Sequence, residues 1–311
     1  MFVHAEGDGG SNLCRTIVAL LQKLPRLESF VCDAPLMVEP DYLDVPCVPT
    51  LLHLQTLKSE ELYQASRYKA LRSIVVDEQY ADDEKWYNLA LELPSHLDHL
   101  QVRCGKHQDD ESLWRRTIFK LPYFNFLKVL VLDVRDQPLY VQEGSLFGAI
   151  AGTCYRLESL GIVVRRPPSQ SRRSRCCYYS LVYQINTLGR LKVLERLEID
   201  EREMDDSDEP QSMTSLLHSL PPKLHTLALT CRHFKNRENR FLPRLLTSHA
   251  LLQTIYLYCR ASPDTVREAD YLHARYLFDH IHKEAVHRYS IPLNCMIVTE
   301  SLLDRMAFRL P

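Results

Sequence analysis

His273, His280 and His287 recur at seven-residue intervals, and imidazoles in such a series are the first side chains in this sequence whose type could hold a metal ion. A helix rises about 1.5 Å per residue, so neighbours in this series stand roughly 10.5 Å apart, beyond the reach of one ion. The series therefore reads as an exposed helix face. The ten cysteines are scattered, with Cys176-Cys177 adjacent and no C-x-x-C pair. That pattern fits reduced thiols filling core positions better than a zinc or disulfide framework. For nucleophilic or phosphate chemistry, H-E-x-x-H, G-x-x-x-x-G-K-[ST] and G-x-S-x-G are all missing, and Gly144-Ser145-Leu146-Phe147-Gly148 carries leucine where a nucleophile belongs. The expectation is a non-catalytic protein with no cofactor. An enzyme whose site is assembled across distant segments is the alternative.

Charge points to neither nucleic acid nor membrane. The 311 residues carry a net charge of −2, with 45% hydrophobic and 25% charged residues. No apolar run approaches the roughly 20 residues that span a bilayer. A basic stretch, Arg165 to Arg175, and an acidic one, Asp200 to Pro210, each follow an apolar segment. The basic stretch lacks the interleaved aromatic residues that stack on bases, and both read as inserted surface loops, over 165–176 and 200–211. Leaving parallel strands on one edge, the two would attract weakly. Met1 to Gly10 has no basic segment followed by an apolar core, so a cytoplasmic or nuclear location is expected.

What positions these residues is a recurrence. Leu127-Lys128-Val129-Leu130-Val131-Leu132-Asp133 has apolar residues at offsets zero, three and five. The pattern returns from Leu27, Leu71, Leu97, Leu157, Leu194, Leu224, Leu252 and Leu293, where Met296 and Val298 fill the third and fifth offsets. Leu54 opens a degenerate copy whose fifth offset is Ser59, beyond an irregular, proline-rich loop over 33–50. Several copies are 30 residues apart, room for one strand and one helix each. Helices are expected over 82–93, 111–121, 146–154, 178–188 and 213–220, with a long one over 263–289 and a closing one over 299–310. The fold expected is an α/β leucine-rich-repeat solenoid, a horseshoe with a parallel concave β-sheet and convex helices. It forms a single domain over 1–311.

Leu24-Pro25-x-Leu27-Glu28-x-Phe30, Tyr155-Arg156-Leu157-Glu158-Ser159-Leu160 and Leu224-His225-Thr226-Leu227-Ala228-Leu229 resemble the irregular leucine-rich-repeat regions of F-box-like proteins of the fungal type. The resemblance spans most of the chain. It implies a substrate-recognition part of a ubiquitin ligase receptor, with an adaptor bound through an F-box. No F-box stands in this sequence, so that module is expected upstream or lost. The asparagine of regular repeats at the eighth offset is replaced by Pro35, Gln79, Arg135, Arg165 and Arg202.

Strand alternation sends offsets three and five into the core and offsets two, four and six to the opposite, concave face. A protein partner is expected there. The candidate contacts are Asp77, His99, Gln101, Arg103, Val129, Val131, Asp133, Arg196, Glu198, Tyr256 and Tyr258. Asp200 belongs to the same set of offsets. The outward valines Val31, Val75, Val129 and Val131 are the most suggestive, because stability does not demand apolar side chains on that face unless a loop covers them.

Overall fold

The computed structural model describes residues 2–3, 19–20, 23–24, 26–32, 50–56, 69–78, 95–104, 125–135, 146–165, 187–200, 220–230, 245, 249, 251–258, 275–276, 278–279, 283 and 294–298. Histidines 273, 280 and 287, most of the stretches expected as charged loops, the 33–49 segment and the 299–310 segment expected as a closing helix lie outside the described residues. The chain forms two compact units, Met1–Leu130 and Val131–Pro311.

In the first unit, β1 (Phe2–Val3), β2 (Ser29–Cys32), β3 (His53–Thr56), β4 (Ser73–Glu78) and β5 (His99–Cys104) pair in parallel, each with its neighbour in sequence. The boundary between the units falls inside β6 (Val129–Arg135). In the second unit β7 (Ser159–Arg165), β8 (Arg196–Asp200), β9 (Thr226–Thr230), β10 (Thr254–Tyr258) and β11 (Asn294–Val298) pair in the same way. Parallel neighbours need a crossover between them, which is what the repeat spacing supplies.

The core follows the sequence pattern. Leu71, Leu97 and Leu127 at offset zero and Ile74, Leu100 and Leu130 at offset three are at most 1% exposed. In the second unit Leu160, Leu197, Leu227 and Ile255 at offset three, and Ile162, Ile199, Leu229 and Leu257 at offset five, are wholly buried. Each repeat thus seals its apolar edge against adjacent repeats. Helix α1 (Leu146–Thr153) supports this layer by burying Phe147 and Ile150, three residues apart on one face, with Cys154 just beyond its end.

A main-chain device sets the step from one strand to the next. The offset-one carbonyl accepts two amides from the following repeat: Leu52 and His53 donate to Glu28 O, Arg72 and Ser73 to Leu52 O, and Asp98 and His99 to Arg72 O. The second unit repeats it, with Glu195 and Arg196 on Glu158 O, His225 and Thr226 on Glu195 O, and Gln253 and Thr254 on His225 O. Just before the strand, the offset-zero amide closes a turn onto the carbonyl three residues back, as in Leu157 to Cys154, Leu194 to Leu191 and Leu252 to His249. Those turn residues Cys154, Leu191 and His249 are buried, a core position that the strand pattern alone does not reveal.

Two frames differ from the sequence expectation. Leu54 aligns with Ile74, an offset-three residue, so this copy starts at buried Leu51 rather than at Leu54. The short, proline-flanked spacing conceals a repeat that is in step with its neighbours. At the other end Asn294 aligns with Thr254 and its amide reaches Gln253 O, which puts offset zero at Pro292 rather than Leu293. Met296 accordingly moves off the core face and is 50% exposed. A one-residue slip reverses every side chain.

Candidate functional site

The even-offset face is graded. Its first row, offset two, is half-exposed: Ser29, His53, Ser73, His99 and Val129 in the first unit, Ser159, Arg196, Thr226 and Thr254 in the second. Its second row is buried at Val75 and Gln101, and likewise at Val131, Gly161, Glu198 and Ala228. In the third row Val163, Asp200 and Tyr258 are buried as well. Of the residues expected to meet a partner, His99, Val129, Arg196 and Tyr256 are half-exposed. Gln101, Val131, Glu198 and Tyr258 are 1% exposed or less, which corrects the expectation that alternation alone leaves them open. Pointing away from the leucine core is not the same as reaching solvent. The side chains of Val31, Asp77, Arg103 and Asp133 lie outside the described residues, although Asp77 and Arg103 are register partners on β4 and β5.

In the second unit Arg196, Glu198 and Tyr258 form a bonded set, while the buried atoms Asp200 Oδ2 and His249 Nδ1 make no hydrogen bond. Arg196 Nε is ion-paired with Glu198 Oε1 on the same strand, and Tyr258 Oη donates to Glu198 Oε2 at 2.8 Å. The Arg196 side chain keeps 25% exposure and that of Glu198 only 2%. Tyr258 sits on β10 and Glu198 on β8, with β9 between them. Ala228 of β9 is the register partner of both Glu198 and Tyr256. Its single methyl leaves room for the tyrosine to reach across. A carboxylate so buried is stable only with partners on its oxygens, and both are satisfied.

The first unit holds the opposite arrangement. His53, Ser73 and His99 occupy offset two on three successive strands, and His53 Nδ1 lies 2.9 Å from Ser73 Oγ. Nε2 of His53, Nε2 of His99 and both polar atoms of the Gln101 carboxamide are buried without a hydrogen-bond partner. Burial lowers the His53 pKa; the same desolvation, reinforced by the charge of His53, takes His99 down to about 4. Both shifts favour the neutral ring. A repeat framed from Leu54 conceals His53 as a site residue, whereas Ser73 stands at offset two of the copy from Leu71 in either frame. Framing it from Leu51 puts His53 in the same offset as His99.

A serine bonded to histidine invites comparison with a nucleophile and its base. The surroundings do not complete one. No group orients His53 through Nε2, and the Ser73 amide is committed to Leu52 O, so it cannot act as an oxyanion donor. The described thiols are no better suited to chemistry. Cys154 and Cys295 are free, and burial raises both thiol pKa values, that of Cys295 to about 12, away from the reactive thiolate. Among the described residues, no three His, Cys, Asp or Glu side chains group to hold a metal, and no helix is long and apolar enough to cross a membrane.

The same architecture occurs in solved structures. The fold matches the leucine-rich-repeat-containing protein LegL7 from Legionella pneumophila with a TM-score of 0.52 over 96% of this chain and 91% of that one, at 14% identity. The chain is a leucine-rich-repeat α/β solenoid. A second match is to the complex of Rad7 and Elc1 in yeast, with a TM-score of 0.50, 13% identity, and coverage of 94% of this chain and 77% of that one. No family model matches the sequence, and no curated protein does.

Proposed function

We propose that this chain is a non-catalytic protein-interaction module that holds a partner along the first row of its even-offset face. The observation behind this reading is the half-exposure of that row in both units, joined by Tyr256 of the second row, while the other described side chains of β4 to β9 are buried. Serine, threonine, histidine and arginine side chains there offer donors and acceptors on a rigid sheet. A preorganised surface of that kind binds with little ordering cost. His99, Arg196 and Tyr256 are the contacts most suited to a hot spot, since tyrosine and arginine are enriched in such positions.

The finer reading is that the module recognises substrates for an F-box-like ubiquitin ligase receptor in the cytoplasm or nucleus. The repeat motifs around Leu27, Leu157 and Leu224 support it, together with the likeness to a structure in which Rad7 is complexed with Elc1. The adaptor would bind through an F-box, a module separate from these repeats.

Crosslinking capture with wild-type chain and with a Thr226→Arg/Thr254→Arg variant tests the binding face. Both positions are half-exposed, so the variant should melt like the wild type and lose the captured partners. Recovery of the same partners by a folded variant would exclude this face. Mixing the chain with Elc1 and a ubiquitin ligase adaptor, followed by size-exclusion chromatography, tests whether adaptor binding needs anything beyond the repeats.

A further inference from the structure

Among the described residues, Arg196 is the only Arg, Lys, Asp or Glu in the first row of the even-offset face. Its guanidinium is held from within the fold. Nε donates to Glu198 Oε1, and the buried Glu198 carboxylate takes a 2.8 Å hydrogen bond from Tyr258 Oη, two strands away. A guanidinium presents five N–H donors in a rigid fork, and here its Nε side faces Glu198. The edge formed by Nη1 and Nη2 lies at the other end of the group. The Arg196 side chain keeps 25% exposure, and neither terminal nitrogen is among the buried atoms left without a hydrogen bond. That edge is therefore the part of Arg196 that reaches solvent. Ser159 on β7 and Thr226 on β9 are the register partners of Arg196, about 4.8 Å to either side, and both are half-exposed. The turns that lead into β7, β8 and β9 expose Arg156, Arg190, Lys192 and Lys223 against Glu158 and Glu195. The end of the sheet nearest this row is thus net positive.

We propose that the first row of the second unit takes an acidic segment of the partner protein, with an aspartate or glutamate carboxylate seated on the Nη1–Nη2 edge of Arg196 between the Ser159 and Thr226 hydroxyls. The inference rests on the first-row reading above and names the chemistry of its occupant. Two parallel N–H donors match the two oxygens of a carboxylate. Glu198 offsets much of the Arg196 charge, so attraction over distance comes from the basic turns, and Arg196 supplies the close, directional contact. Because Glu198 already holds the guanidinium, binding orders little that is not ordered beforehand. The first row of the first unit, with Ser29, His53, Ser73 and His99, offers no equivalent cation.

The test is fluorescence anisotropy of the full chain with labelled hexaglutamate and hexaglutamine peptides at low ionic strength. We expect the glutamate peptide to bind, the glutamine peptide not to bind, and added salt to weaken the complex. Thr226→Glu leaves the Arg196, Glu198 and Tyr258 set intact and gives the guanidinium an internal carboxylate, so affinity should fall about tenfold or more. Arg196→Gln/Glu198→Gln removes the cation without leaving a buried charge unpaired, and the same fall is expected. Lys69→Gln makes the same change in net charge at an exposed position of the first unit and should alter affinity by no more than about twofold. Equal binding of the two peptides, or unchanged affinity in Thr226→Glu, would overturn the proposal. Binding of hexaglutamate only after Asp205, Asp206, Asp208 and Glu209 are neutralised would overturn it too, by making the chain's own acidic stretch the occupant. If hexaglutamate fails to bind while the Thr226→Arg/Thr254→Arg variant still loses its captured partners, the acidic occupant falls and the first-row reading stands.

Discussion

Tyr258 Oη donates to Glu198 Oε2 across 60 residues of sequence and over an intervening strand, at 2.8 Å. The bond joins the second and third rows of the sheet face in a place where neither residue reaches solvent. Tyr258→Phe removes the donor and leaves a buried carboxylate oxygen unsatisfied, a loss of about 1.5–3 kcal/mol for a hydrogen bond to a charged group. Urea denaturation should register that loss. Ala228→Leu should cost about 1–3 kcal/mol by overpacking the gap the tyrosine crosses, and its combination with Tyr258→Phe should cost less than the two separately. Strict additivity would mean that Ala228 does not gate the contact.

Acid should destabilise the first unit through His99. Its folded pKa of about 4 lies below the ordinary 6.5, so folding favours the neutral ring. Between these values the unfolded chain binds the extra proton. The His99 contribution is therefore fully present above about pH 6.5 and declines as pH falls towards 4. Melting curves across that interval should show the drop, and His99→Gln should flatten it. His53, shifted in the same direction, adds to the slope.

Gln101 presents the reverse of the Glu198 case. Its buried carboxamide has no partner at either atom, so Gln101→Leu removes a donor and an acceptor that the fold leaves unpaired. The variant should be as stable as the wild type or more stable, by up to about 1–3 kcal/mol. A large loss in chemical denaturation would show that the carboxamide is bonded in solution.

The repeat frame can be read out at two core-like positions. Leu130 is fully buried at offset three, and Leu130→Asp should abolish cooperative folding of the first unit because it buries an unpaired charge. Met296→Lys should change stability by no more than about 0.5 kcal/mol, as at other surface positions. If Met296→Lys proves as damaging as Leu130→Asp, the last strand is framed from Leu293 after all.

Periodicity makes the strand cores legible because offsets zero, three and five are a property of one short segment. From Leu71 to Leu257, the residues read from that pattern are the residues found in the core wherever their side chains are described. The frame fails where a local cue is missing or duplicated. Leu54 outweighs Leu51-Leu52 as a starting point, and Leu293 draws the frame away from Pro292. Burial on the other face is not legible at all, since it depends on what packs over the sheet rather than on alternation. Thus Val75, Val131 and Gln101 look like surface residues in a strand pattern and are not. The Glu198–Tyr258 bond is equally hidden, because it joins residues 60 apart in sequence across an intervening strand.

The doubly accepting carbonyl described at seven of the strand-to-strand steps bears on how such a chain can change. Because the step is transmitted by main-chain atoms, it makes no demand on side-chain identity at offsets one and two, provided neither is proline, which has no amide to give. The chain between one strand and the next is then free in length, and successive frames indeed begin from 20 to 40 residues apart. Residues between strands can be gained or shed without the next strand losing its place. A protein built this way can renew its surface by editing what lies between strands, while inheritance of the scaffold rests on atoms that every residue but one supplies.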